Sequence, residues 1–216
     1  YGRYLHERTR GKPTQYITGV QEFYGRPFRV TPAVLVPRPE TEHVVETALP
    51  LCRDGARVVD VGCGSGNIAV SLRLESGARV WATDIAPAAL AVAAKNCARL
   101  GAEVALVCCD LASAIASGSI DLVVSNPPYV PAAEYQGLQR EVRDWEPRQA
   151  LIGGVEFYQR LIDDAARVLR PGGRLVVELG YTSAGPVGQL LAKWEDVRFV
   201  DDLADIPRVV SARALR

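Results

Sequence analysis

The sequence predicts an α/β fold: a seven-stranded, mostly parallel sheet with helices on both faces, preceded by a β-hairpin. Three observations predict it. Short apolar, β-branched runs recur at Arg57–Val61, Arg79–Thr83, Val104–Cys108, Asp121–Ser125 and Arg174–Leu179, with weaker ones at Val197–Val200 and Arg208–Ala212. Helical stretches separate several of them, notably Pro87–Leu100 and Phe157–Leu169, and Gly172-Gly173 stops the second. The strands are apolar almost throughout rather than on alternate residues, as strands buried on both faces of a parallel sheet must be.

The elements follow in order. Residues 1–36 read as a linker and hairpin: Gln15–Phe23 and Pro27–Val36 are rich in β-branched and aromatic residues around a turn at Tyr24-Gly25-Arg26. Residues 37–216 read as the catalytic domain. It opens with Pro39-Glu40-Thr41-Glu42, a proline and acids where a helix N-terminus favours them, ahead of apolar Val44, Val45 and Ala48. Ligands of such sheets bind at the carboxyl ends of the strands, so the strand-end residues carry the functional reading.

Composition narrows the class. The 216 residues are 48% hydrophobic and 23% charged, ordinary for a globular chain with a full core. Lys+Arg and Asp+Glu both total 25, so no basic field points to direct nucleic-acid binding. No apolar run reaches membrane-span length and no signal peptide opens the chain. Cys52, Cys63, Cys97, Cys108 and Cys109 fit neither paired metal ligands nor a disulfide framework; they are expected to be small buried residues in a reducing compartment, with no metal site. A cytoplasmic monomer is the expectation. The chain contains no methionine and begins at Tyr1, so residues are expected to precede it.

After the first parallel strand comes Asp60-Val61-Gly62-Cys63-Gly64-Ser65-Gly66-Asn67, then an apolar helix. Glycines let the backbone turn sharply and approach a ligand closely. A dinucleotide fingerprint needs a glycine at position 67, which is Asn67. The second strand ends in Asp84, placed to accept hydrogen bonds from ribose hydroxyls. Asp110-Leu111 ends the third, where Asp110 can accept from an exocyclic amine.

The fourth strand ends in Asn126-Pro127-Pro128-Tyr129. Two prolines fix φ, stop the strand and remove two donors, so nearby carbonyls can point outward as acceptors. Asn126 adds a side-chain carbonyl. An NH₂ group has two hydrogens to give; two acceptors grip it and aim its lone pair. Tyr129 offers a flat face for a planar amide or base. No general base is evident: His6 and His43 lie outside the strand-end motifs and are expected at the surface.

The D-x-G-x-G-x-G loop resembles the first motif of class I methyltransferases, with their Rossmann-like fold, and N-P-P-Y resembles the [DN]-P-P-[YFW] signature of enzymes that methylate planar nitrogens in DNA adenine, rRNA guanine or protein glutamine. Further stretches resemble the release factor glutamine methyltransferases, the HemK/PrmC family, over nearly the whole chain: Gly11-Lys12-Pro13-Thr14-Gln15-Tyr16-Ile17-Thr18-Gly19, Glu22-Phe23-Tyr24-Gly25, Phe28-Arg29-Val30, Val36-Pro37-Arg38-Pro39-Glu40-Thr41-Glu42, Glu146-Pro147, Ala150-Leu151, Gly153-Gly154 and Arg208-Val209-Val210. The resemblance implies transfer of a methyl group from S-adenosyl-L-methionine, leaving S-adenosyl-L-homocysteine, to the side-chain amide N5 of the glutamine in the Gly-Gly-Gln motif of peptide chain release factors. It implies cofactor contacts from Asp60, Gly62, Cys63, Gly64, Ser65, Gly66, Asp84, Asp110, Leu111 and Asn126, and a substrate grip by Asn126, Pro127, Pro128 and Tyr129. The alternatives are a ribosomal protein glutamine or an exocyclic amine of DNA or RNA.

Three features depart from the family pattern. Its N-terminal helical domain is represented by Tyr1 to about Arg10. Ser183 stands where glutamine is frequent. The link from Gly154 to the helix near Phe157 is short, and a chain break between Gly153 and Phe157 is the expectation.

Overall fold

The structure, a computed structural model, describes residues 2–215. Tyr1 and Arg216, the outer ends of the two expected regions, lie outside it. The central apolar runs form strands whose side chains are buried on both faces, while the run at Val104–Cys108 forms a more exposed edge strand. β3 (Arg57–Val61), β4 (Arg79–Asp84), β5 (Val104–Cys108), β6 (Ile120–Ser125) and β7 (Leu169–Glu178) are parallel neighbours in the order β5-β4-β3-β6-β7. β9 (Pro207–Arg213) pairs antiparallel with β7, and β8 (Glu195–Asp201) antiparallel with β9, which completes a seven-stranded, mostly parallel sheet among the described residues. This is the predicted architecture, including the two weaker runs as the last strands.

Helices cover both faces. α3 (Glu42–Ala48), α4 (Asn67–Glu75) and α5 (Pro87–Leu100) lie with one apolar cluster that includes Val58, Leu72, Val80 and Leu122. α7 (Val155–Val168) and α8 (Ala184–Leu190) lie with the other, around Tyr158, Leu161, Val123 and Leu175. α7 is amphipathic in the literal sense: Tyr158, Leu161, Ile162, Ala165 and Val168 recur every three or four residues and are all buried. α6 (Arg140–Trp145) sits on the long connection after β6.

The segment before the sheet differs in part from expectation. A hairpin exists, but its strands are short: β1 (Val20–Phe23) and β2 (Arg26–Arg29), turning at Tyr24-Gly25. Gln15–Thr18, expected as strand, belongs to the helix α2 (Thr14–Thr18), which ends at Gly19 with φ 78°. A left-handed glycine at that position is how helices stop. Tyr16 holds the turn in place by burying its ring and donating its hydroxyl hydrogen to the Val34 carbonyl over 2.5 Å. α1 (Gly2–Thr9) precedes it with no buried residue. The hairpin is pinned to the sheet domain: Phe23 and Phe28 are buried in the cluster of Val58 and Leu72, and their rings meet edge to face with centroids 6.0 Å apart.

The expected chain break is not found. Gly153 donates to the Val130 carbonyl, Gly154 caps α7, and Phe157 donates back to Gly154, so the short link is a tight turn continuous with the helix. Of the cysteines, only Cys63 and Cys97 are buried; Cys108 is exposed because β5 is an edge strand. His6 is exposed and His43 half-buried. Among the described residues no helix is long and apolar enough to cross a membrane.

Candidate active site at the sheet's switch point

The chain leaves β3 in one direction to build β4 and β5, and returns on the other side of β3 with β6. The crevice above the carboxyl ends of β3 and β6 is therefore the topological switch point, where open α/β sheets bind ligands. In that crevice lies a cavity of about 390 Å³, in the range of small-molecule sites. Its wall includes Gly62, Cys63, Gly64, Ser65, Asp84, Asp110, Leu111, Asn126, Pro127 and Pro128, so one space brings together the strand-end residues of β3, β4, β5 and β6.

The glycine loop takes its shape from three left-handed glycines: φ is 75° at Gly62, 53° at Gly64 and 79° at Gly66. Their roles differ. A Cβ at Gly62 or Gly64 would meet no atom within 4 Å, and both line the cavity, so a side chain there would project into ligand space. A Cβ at Gly66 would come within 3.2 Å of the Ala93 Cβ, so that glycine lets α5 pack against the loop. The amides of Gly62 and Cys63 both donate to the Thr83 carbonyl at 2.9 Å, Gly64 donates to Asp84 Oδ2 at 2.9 Å, and Gly66 donates to the Cys63 carbonyl at 2.8 Å. Those four amides are spent inside the protein. A phosphate cradle needs them free, so the loop suits a cationic or neutral ligand better than a pyrophosphate.

Asp84 holds the far side of the loop. Its Oδ2 accepts from Gly64 and its Oδ1 from the Ala86 amide at 2.9 Å, which fixes the carboxylate at the rim with lone pairs left over for vicinal hydroxyls. Asp110 accepts from Arg160 at 2.6 Å, a pairing that spans the mouth between the end of β5 and α7. Leu111 also lines the cavity and has a left-handed φ of 48°, a conformation that costs a leucine on the order of 1 kcal/mol and is typical of functional sites.

Asp60 does not line the cavity. It is fully buried beneath the loop, its Oδ2 accepts from the Ala69 amide at 3.1 Å, and its Oδ1 has no hydrogen-bond partner among the described residues. Burial first, and then the nearby Asp84 charge, push its pKa up to about 7. Its place is beneath the glycine loop, behind the cavity wall. Tyr129 also stands beside the cavity rather than on its wall: a Cβ at Gly180 would come within 2.9 Å of the Tyr129 ring, so ring and glycine are packed face to backbone, and burial raises the phenol to about 12.

The Asn126 side chain is ordered by the sheet. β6 and β3 run in register with Asp60 opposite Val124, and Ser125 donates its hydroxyl hydrogen to the Val61 carbonyl at 2.7 Å. Asn126 is therefore held next to Gly62. Its Nδ2 donates to the Thr41 hydroxyl at 3.0 Å. Beyond it, Val130 donates to Leu151 and accepts from Gly153, a short parallel bridge that clamps the Asn-Pro-Pro-Tyr segment from outside.

Several wall residues escaped the sequence reading. Thr41, Leu35 and Pro37 come from the strap before α3, Ile85 follows Asp84, and Phe157 and Arg160 come from one face of α7, with the Arg160 guanidinium 6.0 Å from the Phe157 ring centre. The strap is anchored at three points. Arg38 pairs with buried Glu146 at 2.5 Å, Thr41 meets Asn126, and Glu42 accepts from the Tyr24 amide at 2.7 Å. Its motif was legible; the three distant partners that give it meaning were not.

The methyltransferase small domain family model matches residues 42–142, which hold the glycine loop, Asp84 and the Asn-Pro-Pro-Tyr segment. Among solved structures, a methyltransferase from Pyrococcus furiosus superposes with a TM-score of 0.69 at 17% identity over 100% of both chains. A T. thermophilus 16S rRNA N2 G1207 methyltransferase in complex with AdoMet and guanosine gives 0.67 at 19% identity, over 90% of this chain and 49% of that one. Both likenesses are likenesses of fold. The sequence relatives are much nearer: release factor glutamine methyltransferases of Koribacter versatilis, 47% identical over 99% of this chain and 79% of that protein, and of Nitratidesulfovibrio vulgaris, 45% identical over 99% and 76%. That of Geobacter sulfurreducens is 43% identical over 95% and 75%. With identity of that order spanning the strap, the glycine loop and the Asn-Pro-Pro-Tyr segment together, the chain belongs to the release factor glutamine methyltransferase family.

Proposed function

We propose that this chain transfers the methyl group of S-adenosylmethionine to the side-chain amide nitrogen of a glutamine in a peptide chain release factor, acting as a monomer in the cytoplasm. The observation that carries the reading is the placement of Asn126 and the proline pair on the wall of one cavity with the glycine loop. The cavity fits the cofactor: an open cradle at Gly62 and Gly64, loop amides already engaged, and a fixed carboxylate at Asp84. Gly62, Cys63, Gly64 and Ser65 hold its amino-acid part, Asp84 its ribose, and Leu111 and Ile85 border its base. Bound there, it supplies a methyl group made electrophilic by a positive sulfur.

The protein's work is then to present the nitrogen. Amide resonance makes that nitrogen a weak nucleophile, and its N–H groups become acidic only as the new bond forms. Acceptors that grip those N–H groups strengthen their hold in the transition state, which is where binding accelerates a reaction. Asn126 Oδ1 and a carbonyl of the proline pair are such acceptors. Tyr129, its ring packed on Gly180 beside the cavity, would flank the substrate amide.

A nucleic-acid substrate is less well served. Lys+Arg and Asp+Glu balance at 25 each, and Arg160, the arginine on the cavity wall, is paired with Asp110. Incubation with labelled S-adenosylmethionine and separate release factor, ribosomal protein, DNA and RNA substrates tests the reading. Label in the release factor alone is expected; label in nucleic acid or the ribosomal protein, with none in the factor, would overturn it.

A further inference from the structure

An asparagine side chain has two ends of almost the same shape and opposite hydrogen-bonding sense. If Asn126 is to grip an NH₂ group, its oxygen must face the cavity; turned over, it would set donor against donor. Something has to choose, and the choice is written in the strap. Thr41 is 1% exposed, lies on the cavity wall, and takes the Asn126 Nδ2 hydrogen bond at 3.0 Å.

A hydroxyl both gives and accepts, so Thr41 chooses only if its own hydrogen is committed elsewhere. Glu178 provides for that. It ends β7, and the register sets Ser125 opposite Val177, so Asn126 and Glu178 leave adjacent strands side by side. The Glu178 side chain lies beside Thr41 and is 1% exposed, with Oε2 a buried acceptor lacking a partner among the described residues. The Glu178 main-chain carbonyl is taken separately by the Tyr158 hydroxyl at 3.0 Å. Burial raises the Glu178 pKa to about 7 against the opposing pull of Thr41, Arg208 and Arg38, so above that pH the group is a carboxylate. A carboxylate only accepts.

We propose that Thr41 is a positioning residue for methyl transfer: its hydroxyl donates to Glu178, accepts from Asn126 Nδ2, and thereby turns Asn126 Oδ1 toward the substrate amide. The inference rests on the reading of Asn126 as a grip on that amide. It extends the site by two residues that do not touch the reacting atoms, and it gives the threonine of the Pro-Glu-Thr-Glu segment a reason to be a threonine.

The test compares the unaltered chain with Thr41→Val, Thr41→Ser and Asn126→Ala, measuring kcat and KM with a release factor and the Kd for S-adenosylmethionine. Valine keeps the shape and removes the acceptor. Thr41→Val is expected to lower kcat about tenfold or more with cofactor Kd within about twofold, and Thr41→Ser to return kcat to within about threefold of the unaltered value. In the Asn126→Ala background, Thr41→Val is expected to cost no more than about a further twofold, because both act through one group. Should circular dichroism show Thr41→Val unfolded, Thr41→Cys, which sets a weakly accepting thiol in the hydroxyl's place, is used in each comparison instead. A normal kcat for the folded variant would overturn the proposal. So would an equal fold-loss with and without Asn126, since Thr41 would then be supporting the fold at large. Absence of transfer by the unaltered chain would overturn the assigned reaction itself, and this inference with it.

Discussion

Asn126 can present its oxygen to the cavity because its nitrogen is already engaged, 3.0 Å from the Thr41 hydroxyl. Removing that oxygen should leave the cofactor's side of the cavity intact. Asn126→Ala is accordingly expected to lose on the order of 10²-fold or more in turnover while keeping most of its affinity for S-adenosylmethionine. Isothermal titration alongside the transfer assay checks both halves; near-normal turnover would reject the role. Gly153 gives a second prediction at this scale. A Cβ there would lie 1.9 Å from the Pro128 carbonyl oxygen, so Gly153→Ala must push the proline pair off its place. Its loss is expected in kcat more than in cofactor binding, and a fully active alanine variant would show that the clamp is slack. The asparagine and the prolines were readable as chemistry because their types alone say "acceptors". Thr41 was not, because its partner lies 85 residues away and no local pattern announces such a bond. Asp60 sits in the loop's motif and is buried beneath it, where one carboxylate oxygen meets the Ala69 amide; its spacing in the motif did not announce that burial.

The hairpin and the glycine loop are linked through one side chain of α5. Asn96 is fully buried; its Oδ1 accepts from the Arg29 amide at 2.7 Å, and its Nδ2 donates to the Arg29 carbonyl at 3.0 Å and the Ser65 carbonyl at 2.9 Å. Asn96→Leu keeps the bulk and strands those three backbone groups. A stranded buried group such as the Ser65 carbonyl costs about 1–3 kcal/mol and the part-buried Arg29 groups less, so the variant is expected to lose about 2 kcal/mol or more of stability in urea unfolding and to loosen cofactor binding through Ser65. A change under about 1 kcal/mol would mean that the hairpin is held by its aromatic rings alone. Element types were mostly legible, since buried parallel strands and the α7 repeat announce themselves through burial pattern. Gln15–Thr18 was the exception. Its β-branched Ile17 and Thr18 suggest a strand, but Pro13 before it, Gly19 after it and the burial of Tyr16 favour a single helical turn. Local preference there is worth tenths of a kcal/mol per residue, and one buried ring outweighs it.

For the whole molecule, two acids under the site set a pH dependence. Burial raises Asp60 and Glu178 to about 7, and raises Glu146 despite its pairing with Arg38. A folded-state pKa above the unfolded one means that the folded chain keeps protons the unfolded chain has already released. The stability these groups contribute is full below the unfolded carboxylate values near 4 and is lost as pH rises to about 7. The acids nearer the surface that arginine or lysine holds low act in a different window, below their ordinary values. The thermal midpoint is therefore expected to fall between about pH 4.5 and 7.5, and Asp60→Asn or Glu178→Gln to flatten that slope; an unchanged slope in both variants would contradict it. The largest claim at this scale joins sheet, loop and strap into one reaction at one nitrogen. Mass-spectrometric mapping of a release factor treated with this chain and S-adenosylmethionine tests it directly. The account predicts one added methyl group, on the glutamine of the Gly-Gly-Gln motif, and none when that glutamine is replaced; methylation at any other residue, or undiminished methylation of the replaced factor, would contradict it.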